Sequence, residues 1–289
     1  MAAGTKAGER LVASPAMESL DGTDVDAAVP DRVRELVDRH LGELDRAAPG
    51  LVERLYLSGS VALGDYHPGV SDIDFLAVMS RPLGPDELAA VAAVHRGMPS
   101  SPHYDGVYLD RASVEAMVDD GRAAPHVVDG VFRGDEPCGE LNPVLWLTLD
   151  RRGVAVRGPA TANLDLRVDP DRLRRWNLDN LKEYWQPLAW QVRQAVAERA
   201  DDAVAHPVGV VWAVLGPGRL HYTLATGQVA SKSEAGVYTA GRFPEWAELI
   251  ERSLAWRRGH EDVSFVTTDA VAAAALIDAV VEDAWLRWG

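Results

Sequence analysis

The spacing of apolar residues changes once along this chain, and that change constrains the fold more than any other feature. Before the proline-containing connector at 158–170, apolar runs at strand spacing lie between segments of helical spacing. After the connector, apolar residues recur at helical spacing alone. We therefore predict an α+β fold, in which a domain at 30–160 with a mixed sheet and helices precedes an all-helical bundle at 166–289. Residues 1–29 show no period and are predicted to form a disordered leader.

Hydrophobic periodicity and capping signals predict the individual elements. The predicted strands are 54–58, 72–79, 103–109 and 154–157, and the predicted helices are 31–46, 86–96, 142–152, 171–199, 208–226, 244–258 and 269–288. Ser231 and Glu234 match a capping box that begins one more helix. Pro217 is predicted to kink or break the helix at 208–226, because proline lacks a backbone N–H. Four tryptophans on these helices are predicted to lie in the core: Trp176, Trp185, Trp190 and Trp212.

Composition narrows the classes of function. The chain has 44 acidic and 29 basic residues, and its net charge of −15 argues against binding through nucleic-acid phosphates and favours a cationic small molecule. Cys138 is the single cysteine, which excludes an intrachain disulfide and a cysteine-based zinc site and predicts a reducing, cytoplasmic location. The apolar stretches fall short of the roughly 18 residues that a membrane span needs. We expect a monomer that binds neither nucleic acid nor membrane.

The most informative segment for function is Gly59-Ser60 followed, after a loop, by Asp72-Ile73-Asp74. Residues two apart on a strand share a face, so Asp72 and Asp74 are predicted to project together while Ile73 faces the core. Two neighbouring carboxylates repel each other unless a cation lies between them, and Mg²⁺ favours carboxylates together with substrate phosphates. The glycine permits a close backbone approach, and Ser60 begins a short helix whose N–H groups can bind phosphate oxygens.

The aspartate pair also has to be distinguished from simpler acidic patterns. An Asp-x-Asp on a strand edge is commonly a solvated surface pair, but the preceding Gly-Ser favours a metal site. An EF-hand is excluded, because the sixth position counted from Asp72 is Ala77, where that loop requires glycine. A Walker A phosphate-binding loop is excluded as well, because 227–233 lacks the glycine before Lys232.

Together these residues resemble a known signature. Gly59-Ser60 with Asp72-Ile73-Asp74 is similar to the motif of the polymerase-β-type nucleotidyltransferase superfamily, and within it to the aminoglycoside (3'')(9) adenylyltransferases, which are streptomycin and spectinomycin resistance enzymes, and to related actinobacterial proteins. A second motif resembles the C-terminal domain of that family. It comprises Arg219-Leu220-His221-Tyr222-Thr223, Ala225-Thr226-Gly227 and Ser231-Lys232-Ser233. The two motifs occur in the family's order, and the resemblance covers about residues 31–260.

The resemblance implies roles for individual residues. The domain at 30–160 becomes the nucleotidyltransferase domain, and 166–289 becomes the helical domain that helps to bind substrate and ATP. Asp72 and Asp74 would hold Mg²⁺. Asp105, at a position where the most similar resistance enzymes carry glutamate, would complete the metal site and accept the proton of the acceptor hydroxyl. The phosphates of ATP, the co-substrate, would be bound by four further residues: Gly59, Ser60, Arg219 and Lys232.

The expected reaction is transfer of AMP from ATP to a hydroxyl of a small molecule, with release of pyrophosphate. The resemblance implies an aminoglycoside or aminocyclitol acceptor such as streptomycin or spectinomycin. The chain departs from the drug-modifying members at 205–212, where they carry acidic residues and a histidine; Asp201 and Asp202 are candidates to replace them. Two alternatives stay open: an adenylyltransferase that modifies a protein or RNA, and a non-catalytic nucleotide-binding regulator.

Overall fold

The first half of the chain forms a six-stranded mixed sheet. The computed structural model describes residues 29–119, 121–260 and 262–289, so nearly all of the predicted leader at 1–29 lies outside the described residues. The strands are β1 (Val52–Leu57), β2 (Ile73–Met79), β3 (Tyr104–Asp110), β4 (Ala123–Val128), β5 (Val131–Pro137) and β6 (Val154–Arg157). Their order across the sheet is β5-β4-β3-β2-β1-β6. The β2–β3 pair is parallel, and every other pair is antiparallel.

Helices flank this sheet and make up most of the second half, where Val204 and Val266 also form an isolated antiparallel bridge. The helices of the first half are α1 (Asp31–Ala47), α2 (Gly59–Ala62), α3 (Pro85–Arg96), α4 (Arg111–Glu115) and α5 (Pro143–Arg152). Those of the second half are α6 (Pro170–Asn180), a π-helical turn (Leu181–Trp185), α7 (Gln186–Val196), α8 (Pro207–Thr226), α9 (Lys232–Arg242), α10 (Ala247–Arg257) and α11 (Thr267–Trp288). Short 3₁₀ turns lie at Thr161–Leu164 and Pro244–Trp246. The predicted α+β class, with a mixed sheet before a helical half, is confirmed.

Strand β2 shows why the sheet has a core on both faces. Ile73, Phe75 and Ala77 point into a cluster shared with the apolar stripe of α1. Leu76 and Val78 point to the opposite face, into a cluster built around Trp146 of α5. A third cluster lies within the helical half. The boundaries 30–160 and 166–289 stay a prediction; Leu166, at the start of the second range, packs in the Trp146 cluster of the sheet half.

The structure differs from the predicted elements at several places: α4 was not predicted, and the helix predicted at 171–199 is divided into α6, the π-helical turn and α7. The hairpin β4–β5 was not predicted, because Pro125, Gly134 and Pro137 interrupt its pattern and most of β5 is exposed. The predicted break at Pro217 is wrong: α8 continues through it. A Cβ atom on Gly216 would lie 1.9 Å from the Trp185 ring, and one on Gly218 would lie 2.0 Å from Oγ1 of Thr239. Close packing of α8 against its neighbours therefore outweighs the local effect of the proline.

In the described ranges, no helix combines the length and the apolar character that a membrane crossing requires.

Two histidines and two tyrosines share a buried hydrogen-bonded cluster between the sheet, α1 and α3. The hydroxyl of Tyr108 lies 2.7 Å from Nε2 of His40 and 2.5 Å from Nε2 of His95. Nδ1 of His40 lies 3.1 Å from the Tyr104 hydroxyl. Burial lowers the pKa of His95 to about 4, and burial together with the charge of His95 lowers the pKa of His40 well below its usual value. Both rings are therefore neutral at pH 7.

We expect this cluster to make stability depend on pH. Since the folded-state pKa of His95 is about 4 and that of an unfolded histidine is about 6.5, unfolding takes up a proton between these values, and the free energy of unfolding decreases as the pH falls through that window. For His95 alone the loss approaches about 3 kcal/mol. Urea unfolding at pH 7.5, 6 and 4.5 measures this decrease in the free energy of unfolding. His95→Phe should show a flatter dependence, whereas His260→Phe, at an exposed histidine, should follow the wild type. Equal slopes for all three proteins would contradict the prediction.

Candidate active site

The chain turns tightly after β1, and Gly59 and Ser60 are the first two residues of the short helix α2 that follows. Gly59 has a φ of 55°, in the left-handed region that favours glycine. A Cβ atom at Gly59 would lie 1.8 Å from Oδ2 of Asp74. The Ser58 N–H donates to the backbone oxygen of Asp74 at 2.9 Å, and the Ser60 hydroxyl donates to that of Asp72 at 3.2 Å. The turn therefore packs directly against the Asp72–Asp74 segment, as the motif predicts.

Acidic side chains gather where β2 and β3 begin. Asp74 is the register partner of Asp105 on the parallel strand, and Asp72 precedes the first residue of β2. Glu140, in the loop between β5 and α5, adds a fourth carboxylate. Burial raises the pKa of Asp74 to about 7, with the charges of Glu140 and Asp72 acting in the same direction. Such crowding of like charges is relieved by a bound cation.

The side chain of Asp105 is held by the β4–β5 turn. Its Oδ2 accepts the N–H of Asp129 at 2.9 Å, and its Oδ1 accepts the N–H of Gly130 at 3.0 Å. Burial raises the pKa of Asp105, and these two backbone hydrogen bonds oppose the rise. His103, Asp105 and Asp129 offer ligand atoms within 4.8 Å of one another, a group that does not include Asp72 or Asp74. Asp105 is thus oriented by the hairpin but keeps acceptor capacity, because a carboxylate has about four lone-pair sites.

Two basic side chains reach this acidic edge from the helical half. Arg219 lies on α8, and Lys232 is the first residue of α9, whose predicted capping box between Ser231 and Glu234 is present. Both cations counteract the rise in the pKa of Asp74. Burial lowers the pKa of Lys232 to about 8, followed by the charges of Arg219 and Arg257, while Asp72 and Asp74 oppose the shift. The structure therefore brings the two sequence motifs together across the two halves of the chain.

Trp212 belongs to the surroundings of the site rather than to the core. The ring is 39% exposed, and Nζ of Lys232 lies 4.9 Å from its centroid. It stacks on buried Trp185 at 5.4 Å, and its Nε1 donates to the Tyr184 hydroxyl at 3.2 Å. The core prediction holds for Trp185 but is wrong for Trp212 and for Trp190, which is 62% exposed.

Sequence reasoning missed several charged residues near the site. Glu140 lies in a loop without periodicity, and no motif marks it. Asp65 follows a glycine in the loop after α2, and Arg257 ends α10, so nothing in their spacing connects them. Asp201, which was predicted as a candidate contact for the acceptor, lies beside the start of α11. Its backbone oxygen accepts the N–H of Thr268 at 3.2 Å.

Comparisons with known proteins agree with this assembly. Residues 37–97 match the family model of the nucleotidyltransferase domain, and residues 180–283 match that of the aminoglycoside adenylyltransferase C-terminal domain. The chain is a nucleotidyltransferase of the aminoglycoside adenylyltransferase type. No curated protein matches this enzyme in sequence.

The fold of the enzyme is similar to that of a solved structure, the spectinomycin adenyltransferase AAD(9) from Enterococcus faecialis with ATP and spectinomycin. The TM-score is 0.64 at 16% sequence identity, and the match covers 86% of this chain and 99% of the other. At this identity the likeness shows the shared fold. Because the match covers most of both chains, it includes the sheet half and the helical half of this adenylyltransferase.

Proposed function

We propose that this adenylyltransferase transfers AMP from ATP to a hydroxyl of a small cationic molecule, of the aminoglycoside or aminocyclitol class, and releases pyrophosphate. The hydroxyl oxygen attacks the α-phosphorus, the bond from that phosphorus to the bridging oxygen breaks, and the hydroxyl proton passes to a carboxylate. One observation carries the proposal: the turn at Gly59 and Ser60 packs directly against Asp74, whose register partner on β3 is Asp105. Lys232 and Arg219 of the helical half also counteract the rise in the pKa of Asp74. At this place the turn and the basic side chains can bind anionic phosphates, and the carboxylates can bind a divalent cation.

The acidic edge suits a hard divalent cation. The donor set consists of carboxylate oxygens, which Mg²⁺ prefers, and the pKa of Asp74 is raised to about 7 by burial and by neighbouring carboxylates. We assign Asp72, Asp74 and Asp105 as the residues that would hold Mg²⁺. When bound, the ion would neutralise negative charge on the reacting phosphate.

The remaining roles follow from the positions of the side chains. The turn at Gly59 and Ser60 offers backbone N–H groups and a hydroxyl to phosphate oxygens. Lys232 and Arg219 bind the β- and γ-phosphates. Burial lowers the pKa of Lys232, and the negative charge of bound phosphates would favour its protonated form. Asp105, held by the hairpin turn, is the proposed acceptor of the hydroxyl proton. A cationic acceptor fits the chain's net charge of −15.

We expect Lys232→Met to raise the KM for ATP by about tenfold to a hundredfold, because a buried charge-assisted contact to phosphate is lost. The measurement is pyrophosphate release against ATP concentration, with ATP affinity from calorimetry. Lys182→Met is the matched control: Nζ of Lys182 also lies over a tryptophan, 4.7 Å from the centroid of the Trp285 ring, but on the π-helical turn. Equal KM values for the two variants would contradict the assignment of Lys232.

The acceptor class is tested by incubating the enzyme with ATP, Mg²⁺ and a panel of aminoglycosides and aminocyclitols. We expect pyrophosphate release with at least one member and a product heavier by one adenylyl group. Modification of a protein or RNA band after labelled ATP is added to a lysate, with no turnover of the panel, would instead favour a macromolecular target. ATP binding that does not depend on Mg²⁺, together with no pyrophosphate release in the presence of any acceptor, would favour a non-catalytic regulator.

A further inference from the structure

Asp65 is a buried carboxylate that joins the two halves of the molecule. It lies in the loop after α2, and its partner Ser233 directly follows Lys232 in the first turn of α9. The Ser233 hydroxyl donates to Oδ1 of Asp65 at 2.6 Å, and the Ser233 N–H donates to Oδ2 at 3.1 Å. One side chain of the sheet half therefore accepts hydrogen bonds from both the hydroxyl and the N–H of the residue next to Lys232.

Arg257, the last residue of α10, completes this contact. Its Nη2 donates to the backbone oxygen of Asp65 at 2.9 Å, to Oδ2 of Asp65 at 3.2 Å and to the Ser71 hydroxyl at 3.3 Å. Ser71 directly precedes Asp72, so Arg257 is bonded to both ends of the loop that leads from the Gly59-Ser60 turn to the acidic edge. His67 lies inside the loop, with Nε2 2.9 Å from Oδ1 of Asp65.

The energetics of this contact favour a role in geometry. The side chains of Arg257 and Asp65 are only 3% and 8% exposed. Removing two charges from water cancels much of their attraction, so a buried ion pair adds little net stability, while it strongly disfavours arrangements in which either partner is left unpaired. Burial acts to raise the pKa of Asp65, but the Ser233 hydrogen bonds and the charge of Arg257 outweigh it and lower the pKa. The carboxylate is thus ionised and fully engaged at neutral pH.

We propose that Asp65, through Ser233 and Arg257, is a positioning residue that fixes the first turn of α9 and thereby holds Lys232 over the acidic edge. The inference rests on the proposed function in one respect, the role of Lys232 in binding ATP phosphates. The Ser233 N–H belongs to the unpaired donors of a helix start, and a carboxylate there also interacts favourably with the helix dipole. Asp65 therefore acts on the reaction through the placement of another side chain, without touching substrate.

The test combines two variants with a control. Asp65→Asn removes the charge, and Ser233→Ala removes one hydrogen bond but leaves the ion pair with Arg257. We expect the KM for ATP to rise by about tenfold or more in Asp65→Asn and by less in Ser233→Ala, with a smaller change in kcat. Hydrogen exchange of the amides at 231–235 should accelerate in both. Asp269→Asn breaks the pair between Arg252 and Asp269 in the helical half and should leave the KM unchanged.

The outcomes separate the inference from the proposed function. Faster exchange at 231–235 with an unchanged KM and calorimetric affinity for ATP would reduce the contact to a structural one and overturn the inference. Unchanged exchange in both variants would overturn it as well. A wild-type enzyme that releases no pyrophosphate would defeat the proposed function, while hydrogen exchange and ATP affinity would still decide the role of Asp65. A raised KM in Asp269→Asn would mean that general loosening explains the effect, again against the inference.

Discussion

Replacing Asp74 by asparagine should lower kcat for pyrophosphate release by at least about a thousandfold while making the protein more stable at pH 8. The activity is lost because a carboxylate ligand for the cation is removed from the place where negative charge must be neutralised. The stability rises because the folded-state pKa of Asp74, about 7, lies above the ordinary aspartate value of 3.8. Between these two values the unfolded chain releases the proton while the folded protein retains it, so the free energy of unfolding falls as the pH rises through this window and stays lower above it. The neutral amide avoids this loss.

Thermal melting at pH 8 and pH 5 checks the sign. At pH 5 only the lower part of the window between 3.8 and about 7 has been passed, so the melting temperatures of wild type and Asp74→Asn should lie closer together than at pH 8. Asp110→Asn is the matched control, since Asp110 ends β3 and its side chain accepts the Ser113 N–H at 2.7 Å, a capping role that asparagine also fills. Asp74→Asn with wild-type kcat would sink the metal assignment.

Gly59→Ala should reduce turnover by about a hundredfold or more and lower the free energy of unfolding by about 1–3 kcal/mol. An alanine would need a φ near 55°, and its Cβ would lie 1.8 Å from Oδ2 and 2.6 Å from Cγ of Asp74. Either the turn or the Asp74 side chain must move, and both belong to the proposed site. Steady-state kinetics and urea unfolding measure the two effects.

Gly64→Ala separates the clash from the backbone penalty. Gly64 has a φ of 67°, but a Cβ there would meet nothing within 4 Å. This variant should therefore show the left-handed penalty of about 1–2 kcal/mol with nearly normal kinetics. If both variants lost activity equally, the contact between Gly59 and Asp74 would not explain the effect.

Most of the correct predictions concern contacts or orientations of residues that are close together in the sequence. Strand alternation alone predicted that Asp72 and Asp74 share one side while Ile73 faces the core, and the core cluster agrees for Ile73. The capping box at Ser231 was equally readable, because its donors and acceptors lie three residues apart. The functional roles of the site residues, the monomeric state and the cytoplasmic location stay predictions.

What the amino-acid sequence alone determined is the direction of side chains along β2, the capping box that begins α9 and the order of the two halves. Only the tertiary structure decided that Asp105 is held by the β4–β5 turn, that Glu140 joins the acidic edge, and that Asp65 bonds to Ser233. The physical reason is how far apart the contacting residues lie in the sequence. Backbone periodicity sets contacts a few residues apart, whereas the Asp65–Ser233 contact spans 168 residues and forms only when separately folded elements pack together.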